Sequence, residues 1–304
     1  MYNLKANYDK IFPIVKSALN DFLLPDGNFK AYKNKPKWSD IEVVTLSILA
    51  ETISLDSENW MFSKLKDDLL LIFPELIDRS NYNRRKRRLN GYINSISEWI
   101  AHQIDGENRK VILDSIPLQI CMNPRILRSK ICKEDSNVQP STSYNPSLKM
   151  HYYGFKMQLM ITQKGVPLSV GLTSANVHDV NYLGMLDKKD KLADYELIAD
   201  KGYLSLGYQT SLFEEDKIRL ITPIRGNMKE RVDVWNKSYR YIRKRIETLF
   251  SQLCDQMMFK RNYSKSLDGL LTRVVAKVNA VAVLQFLNVT NNRPINRLKH
   301  AMFL

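Results

Sequence analysis

The spacing of apolar residues changes near Gly106, and that change limits the chain to a helical part followed by a sheet-bearing part. Before it, Ile11, Ile14, Val15, Ala18, Leu19 and Phe22 recur at helical intervals, and Ser39-Asp-Ile-Glu42 forms a capping box ahead of the apolar run 43–53. A third helix is expected over 58–73, stopped by Pro74. Beyond it lie the basic run Arg84-Arg85-Lys86-Arg87-Arg88, Gly91 and the pattern Tyr92, Ile93, Ile96, Trp99, Ile100, which read as one long helix or two with the basic run at its start. After Gly106 the apolar runs are short. Lys110-Val-Ile-Leu-Asp114 and Glu196-Leu-Ile-Ala-Asp200 each read as a strand ending in a carboxylate, and Pro117 limits how far the first continues as a central strand. Runs 155–162 and 166–173 flank Gln163-Lys-Gly165, a hairpin signal, and 218–224 reads as a further strand. Helices over 234–258 and 267–287 complete the pattern. Segment 123–149, rich in Ser, Asn, Pro and charge, is compatible with an ordered functional loop or a disordered excursion. The expected organisation is an all-α region, 1–105, followed by an α/β domain, 106–304.

Composition narrows the function. Lys and Arg total 46 against 32 Asp and Glu, a net charge of +14 that favours polyanionic partners. The content of 44% hydrophobic residues supplies ordinary globular cores and excludes disorder over the whole chain. No apolar run reaches the roughly 18 uninterrupted residues of a membrane span, since 271–287 is broken by Arg273, Lys277 and Asn279. Charges of both signs in the first residues, with no apolar segment and cleavage site, give the expectation of a soluble, cytoplasmic protein without membrane contact. Three cysteines without a CxxC pair and four scattered histidines argue against a disulfide framework and a zinc hydrolase.

The informative acids are Asp114 and Asp200, because a charge at the end of a buried strand is tolerated where it faces a solvated cleft or a cation. Either one taken alone would serve equally to start a turn or cap a helix. Glu247 lies beside the stripe Ile246, Leu249, Phe250, Leu253, Met257 and is therefore expected to border the core; an ion pair with Arg243 is the simpler alternative. Three carboxylates on separate elements are able to hold two Mg²⁺ or Mn²⁺ through oxygen, which suits in-line displacement at phosphorus.

The order of these features resembles the DDE transposases of bacterial insertion sequences. It comprises Asp114 at an expected strand end, a hairpin, Asn176-Val-His178-Asp179, Ala199-Asp-Lys-Gly-Tyr203, and Arg243 with three residues between it and Glu247. The motif written for the final Glu in related groups also has a Tyr, whose position is Arg240 here with Tyr239 and Tyr241 on either side. It has a Lys too, whose position is Cys254. The resemblance implies an RNase H-like mixed-sheet catalytic core over roughly 106–290. It also implies a triad Asp114, Asp200, Glu247 binding two Mg²⁺ or Mn²⁺, with Lys201, Tyr203 and Arg243 beside the DNA. It leaves His178 and Asp179 a local structural role.

The basic residues complete the expectation. Arg84, Arg85, Lys86, Arg87 and Arg88 are expected to bind the element's terminal inverted repeats in a helix-turn-helix-like region with the preceding helix, and Lys244 with Arg240, Arg243 and Arg245 to guide a strand past Glu247. About eight neutralised phosphates would give a salt slope of roughly −7. The expected function is DNA cleavage and strand transfer on paired ends by at least a homodimer. The alternatives are a nuclease of the same fold that does not join strands, and a non-catalytic DNA-binding protein.

Overall fold

The computed structural model describes residues 3–146, 149–186, 189–224 and 235–302, and the chain divides into two compact units. The first comprises Met1–Ile104, Gln252–Ser264 and Asp268–Leu304. Its helix α1 (Leu4–Ala18) is capped by the Asn3 side chain, which accepts the Ala6 N–H at 2.9 Å. Helix α2 (Asp40–Thr52) starts at the expected capping box, with the Ser39 N–H donating to the Glu42 carboxylate at 2.6 Å. Val43, Val44, Leu46, Ile48 and Leu49 are all fully buried, so this helix is covered on nearly every side. The helix expected over 58–73 is instead two short ones, α3 (Glu58–Lys64) and α4 (Lys66–Leu70), separated at Leu65 by a non-helical φ of −107° and ψ of 25°.

Helix α5 (Arg79–Arg88) is capped by Asp78, which accepts the Asn81 N–H at 2.9 Å, and α6 (Asn90–Asp105) follows after a break at Leu89. The basic run therefore ends a helix, where the expectation put it at a helix start. Cations there complement the negative end of the macrodipole, which removes the electrostatic penalty of the expected placement.

The second compact unit does not coincide with the domain expected over 106–304, because most of the chain after Ser251 belongs with the N-terminal helices. The cause is the 24-residue helix α9 (Leu267–Thr290), apolar around its circumference and in need of cover on all sides. Within the first unit its Asn279 accepts the Ser97 N–H at 2.7 Å, and its Phe286 ring lies 5.6 Å from that of Trp99. Its Lys277 meets the buried Glu51 carboxylate at 2.5 Å. By length and composition alone α9 is long and apolar enough to cross a membrane, but 83% of that stretch is buried in the protein, as in a core helix.

The second unit, Asp105–Ser251 with Lys265–Leu267, is built on a mixed sheet. Its strands, among the described residues, are β1 (Lys110–Cys121), β2 (Ser141–Asn145), β3 (Met150–Thr162), β4 (Pro167–Ser174), β5 (Glu196–Ala199) and β6 (Arg219–Ile221). Strands β3 and β4 form the expected hairpin. One edge of β3 pairs with β1, and the other is shared end to end by β4 and β2. Part of segment 123–149 is thus an ordered edge strand. Strands β5 and β6 extend the sheet in parallel beyond β1. Because β5 pairs with β1 only at Lys110–Leu113, that edge of β1 carries no β5 partner at Pro117, and the proline does not end the strand. At the β1 bulge between Gln119 and Cys121, β3 approaches so closely that a Cβ on Gly154 would lie 2.2 Å from the Leu118 carbonyl oxygen.

Helix α7 (Leu206–Asp216) leads into β6, and α8 (Lys237–Asp255) runs from this unit into residues of the first. The start expected for α8, Val234, lies outside the described residues. One face of the sheet buries Val111, Leu113, Leu197, Ala199 and Leu220 against Tyr182, Leu183, Leu186 and Leu212.

Candidate active site

The first strand does not end at Asp114 as expected but continues on β3 to Cys121; what ends at Leu113 is its pairing with β5, and that register places Asp114 and Asp200 side by side. Leu113 is paired with Ala199, the last pair of the parallel ladder, and Asp114 and Asp200 are the next residues on each strand. Adjacent strands lie about 4.8 Å apart, so the two backbones present their carboxylates at neighbouring positions. Leu113 and Ala199 point into the core described above. The period of two therefore sends Asp114 and Asp200 to the opposite face, Asp200 remaining extended at φ −78° and ψ 172°.

Helix α8 lies on that opposite face. Tyr239, Arg243 and Glu247 follow one another at single helical turns and form one row. The Tyr239 hydroxyl donates to Glu196 at 3.2 Å, near the start of the strands. One turn on, Arg243 Nη1 donates to Asp114 Oδ2 at 3.2 Å, and its Nη2 donates to Glu247 Oε1 at 2.6 Å. The apolar stripe holds, with Ile246, Leu249, Leu253 and Met257 buried. Glu247 is more open than its place beside that stripe indicates, its side chain being 52% exposed, and it makes the ion pair with Arg243 that was the simpler sequence reading.

Electrostatics single out Asp114. Burial pushes its carboxyl up from the ordinary 3.8 to about 6, and the charges of Asp200 and Asp179 push the same way; the Ser115 N–H and Arg243 pull it back only in part. A strained acid of this kind is a candidate functional position. Among the described residues no three His, Cys, Asp or Glu side chains stand together in the arrangement of a ready metal site. The donor set nonetheless suits a hard divalent cation. Asp114, Asp200 and Glu247 offer carboxylate oxygen, and two of the three already share one positive charge, that of Arg243.

Behind Asp200 lies a buried polar chain that the sequence reading passed over. Asp179 accepts from Lys156 Nζ at 2.7 Å and from Gln158 Nε2 at 3.2 Å, and Gln158 Oε1 accepts from the Tyr203 hydroxyl at 2.6 Å. Gln158 is fully buried and Tyr203 is 1% exposed. The chain ties the turn Lys201–Tyr203, directly after Asp200, to the middle of β3. Lys156 and Gln158, two residues apart in an otherwise apolar strand, were the signal for it. His178 stands at the start of the turn Asp179–Met185, in keeping with a local role. Tyr203 was expected to contact DNA; its burial and its bond to Gln158 make it a structural residue instead, whereas Lys201 is exposed.

The basic run in α5 is also divided by its surroundings. Arg85 pairs with the fully buried Asp40 at 2.5 Å, Lys86 with Glu58, and Arg87 with Asp268 at 3.8 Å. Arg85 and Lys86, with side chains 16% and 8% exposed, therefore hold the helices of the first unit together and do not serve as the DNA contacts expected of them. Arg84 and Arg88 are exposed one turn apart on the outer face, beside Asn81. On α8, Arg240, Tyr241 and Lys244 are likewise exposed, and the Arg245 guanidinium lies 5.9 Å from the Tyr241 ring centre.

No curated protein and no solved structure matches the chain. A family model described as a transposase DDE domain matches residues 105–266, more than half of the chain and all of the described sheet, with Asp114, Asp200 and Glu247 inside the matched span. The chain therefore belongs to the transposase DDE-domain family.

Proposed function

We propose that this transposase is an insertion-sequence enzyme that binds the terminal inverted repeats of its element, cuts DNA strands there and joins the freed 3′ ends to target DNA. The single observation that carries the reading is the pairing of Leu113 with Ala199, which sets Asp114, inside β1, beside Asp200, just past the end of β5, on the face where Arg243 links Asp114 to Glu247. The mixed sheet, with an antiparallel hairpin on one side of β1 and parallel strands on the other, supports an RNase H-like core.

Family membership implies the use of divalent metal, and in this reading Asp114, Asp200 and Glu247 hold two Mg²⁺ or Mn²⁺ ions. Such ions, when bound, supply activation of the attacking water or hydroxyl and stabilisation of the leaving oxygen at phosphorus. The protein's own residues supply the rest. The Lys156–Asp179–Gln158–Tyr203 chain holds the Asp200 turn in place. Exposed Arg240, Lys244 and Lys201 draw the phosphate backbone toward the carboxylates. In the first unit, the exposed face of α5 with Asn81, Arg84 and Arg88 is the proposed reader of the element's ends. Reaction at two ends calls for at least a dimer.

The test is strand cleavage in Mg²⁺ on linear DNA carrying the inverted repeats that flank the gene. Wild-type protein should nick at the repeat ends and yield joined products, and Asp200→Asn should abolish both. Full activity in Asp200→Asn would reject the triad, and cleavage with no joined product would favour a nuclease.

A further inference from the structure

We infer that Arg243 is an internal counter-cation of the catalytic carboxylates, one that competes with divalent metal for Asp114 and Glu247 and is handed over to DNA phosphate when metal enters. The inference rests on the reading of those two residues as metal ligands.

Two different nitrogens of one guanidinium reach the two acids, Nη1 to Asp114 Oδ2 at 3.2 Å and Nη2 to Glu247 Oε1 at 2.6 Å, so both bonds are made at once. The planar fork of arginine presents two separate nitrogens for this, whereas a lysine ammonium is a single point of charge on a shorter side chain. An ion coordinated by Asp114 and Glu247 together needs the oxygens that the guanidinium now holds, and two cations on one pair of carboxylates repel each other. The two partners are unequal. The Asp114 side chain is 19% exposed and that of Glu247 is 52% exposed, so Arg243 neutralises a half-buried charge with one nitrogen and is held by a solvated one with the other. Its release needs only side-chain rotation, because Arg243 sits in the middle of a continuous helix.

The direction of release is set by its neighbours. Arg240 and Lys244, on the adjoining surface of α8, are exposed, so a displaced Arg243 joins a group of cations fit to receive phosphate. Metal and DNA then favour one another. Phosphate that engages Arg243 frees the carboxylates for metal, and metal that fills the carboxylates frees Arg243 for phosphate, by the reciprocity of linked binding. Protein without DNA would hold metal weakly, and the site would assemble on its substrate.

The deciding measurement is Mn²⁺ binding to the full chain without DNA, followed by the electron paramagnetic resonance of free Mn²⁺, for wild type, Arg243→Gln, Arg243→Lys and Asp114→Asn. Removing the competitor should tighten Mn²⁺ binding about two- to fivefold in Arg243→Gln, the scale of a partly exposed ion pair. Arg243→Lys, which keeps the charge without the fork, should fall between Arg243→Gln and wild type. Asp114→Asn should weaken binding strongly. Loss of binding in Asp114→Asn together with unchanged or weaker binding in Arg243→Gln would overturn the inference and leave the triad standing. Binding indifferent to Asp114→Asn would remove the triad reading and the inference with it.

Discussion

Asp114→Asn should make the protein more stable, and increasingly so as pH rises. The folded state raises the Asp114 carboxyl from 3.8 to about 6, chiefly by burying it. Between those two values the folded chain keeps a proton that the unfolded chain has already lost, so stability falls as pH rises through that window and stays reduced above it. At 1.36 kcal/mol per unit the full cost is about 3 kcal/mol. Asparagine has nearly the same shape and never ionises, and Arg243 keeps its bond to Glu247 in the variant. Urea unfolding in EDTA should therefore show Asp114→Asn more stable than wild type by about 3 kcal/mol at pH 8 and by about half that at pH 5. A variant less stable than wild type, or a gain that does not change with pH, would refute the view that a buried charge is retained here at the expense of stability.

Other expectations follow from the same geometry. Arg85→Ala should destabilise the protein by on the order of 3 kcal/mol in chemical unfolding, because it leaves the fully buried Asp40 with the Tyr32 hydroxyl and the Phe29 N–H but without the positive charge of Arg85. Arg88→Ala should leave the unfolding midpoint unchanged and weaken binding of inverted-repeat DNA; equal effects of the two on stability would contradict the division of the basic run. Tyr203→Phe leaves Gln158 Oε1 without its donor, so it should cost about 1–3 kcal/mol of stability and lower the cleavage rate while DNA affinity holds. A normal rate would show that the buried chain does not position Asp200. With Arg85 and Lys86 engaged inside the protein and Arg87 paired with Asp268 at its surface, the salt slope of end binding should be nearer −4 or −5, for about five phosphates, than the −7 expected from the sequence.

What the sequence carried was local in its physics. The capping box at Ser39, the hairpin about Gly165 and the stripe of α8 each depend on residues a few positions apart, and the structure has all of them; Asp200 likewise follows the end of its strand, whereas Asp114 lies inside β1, whose extension to Cys121 depends on pairing with β3. The role of the basic run was not legible, because the partners of Arg85, Lys86 and Arg87 are Asp40, Glu58 and Asp268, far away in the chain. The place of α9 was hidden for the same reason. An apolar helix after the catalytic segment reads as part of that segment until Ser97 and Trp99 are found against it. The chain behind Asp200 was within reach, since Lys156 and Gln158 share one face of an apolar strand, but its purpose depends on Asp179 and Tyr203 arriving from two other elements.

The most direct test of the central claim is the position of metal in crystals of the protein soaked in Mn²⁺ and measured at the manganese absorption edge. The predicted result is anomalous density among the carboxylates of Asp114, Asp200 and Glu247, with the Arg243 guanidinium turned away from Asp114. Density at other residues only, or none while Arg243 still bridges Asp114 and Glu247 at saturating Mn²⁺, would contradict it.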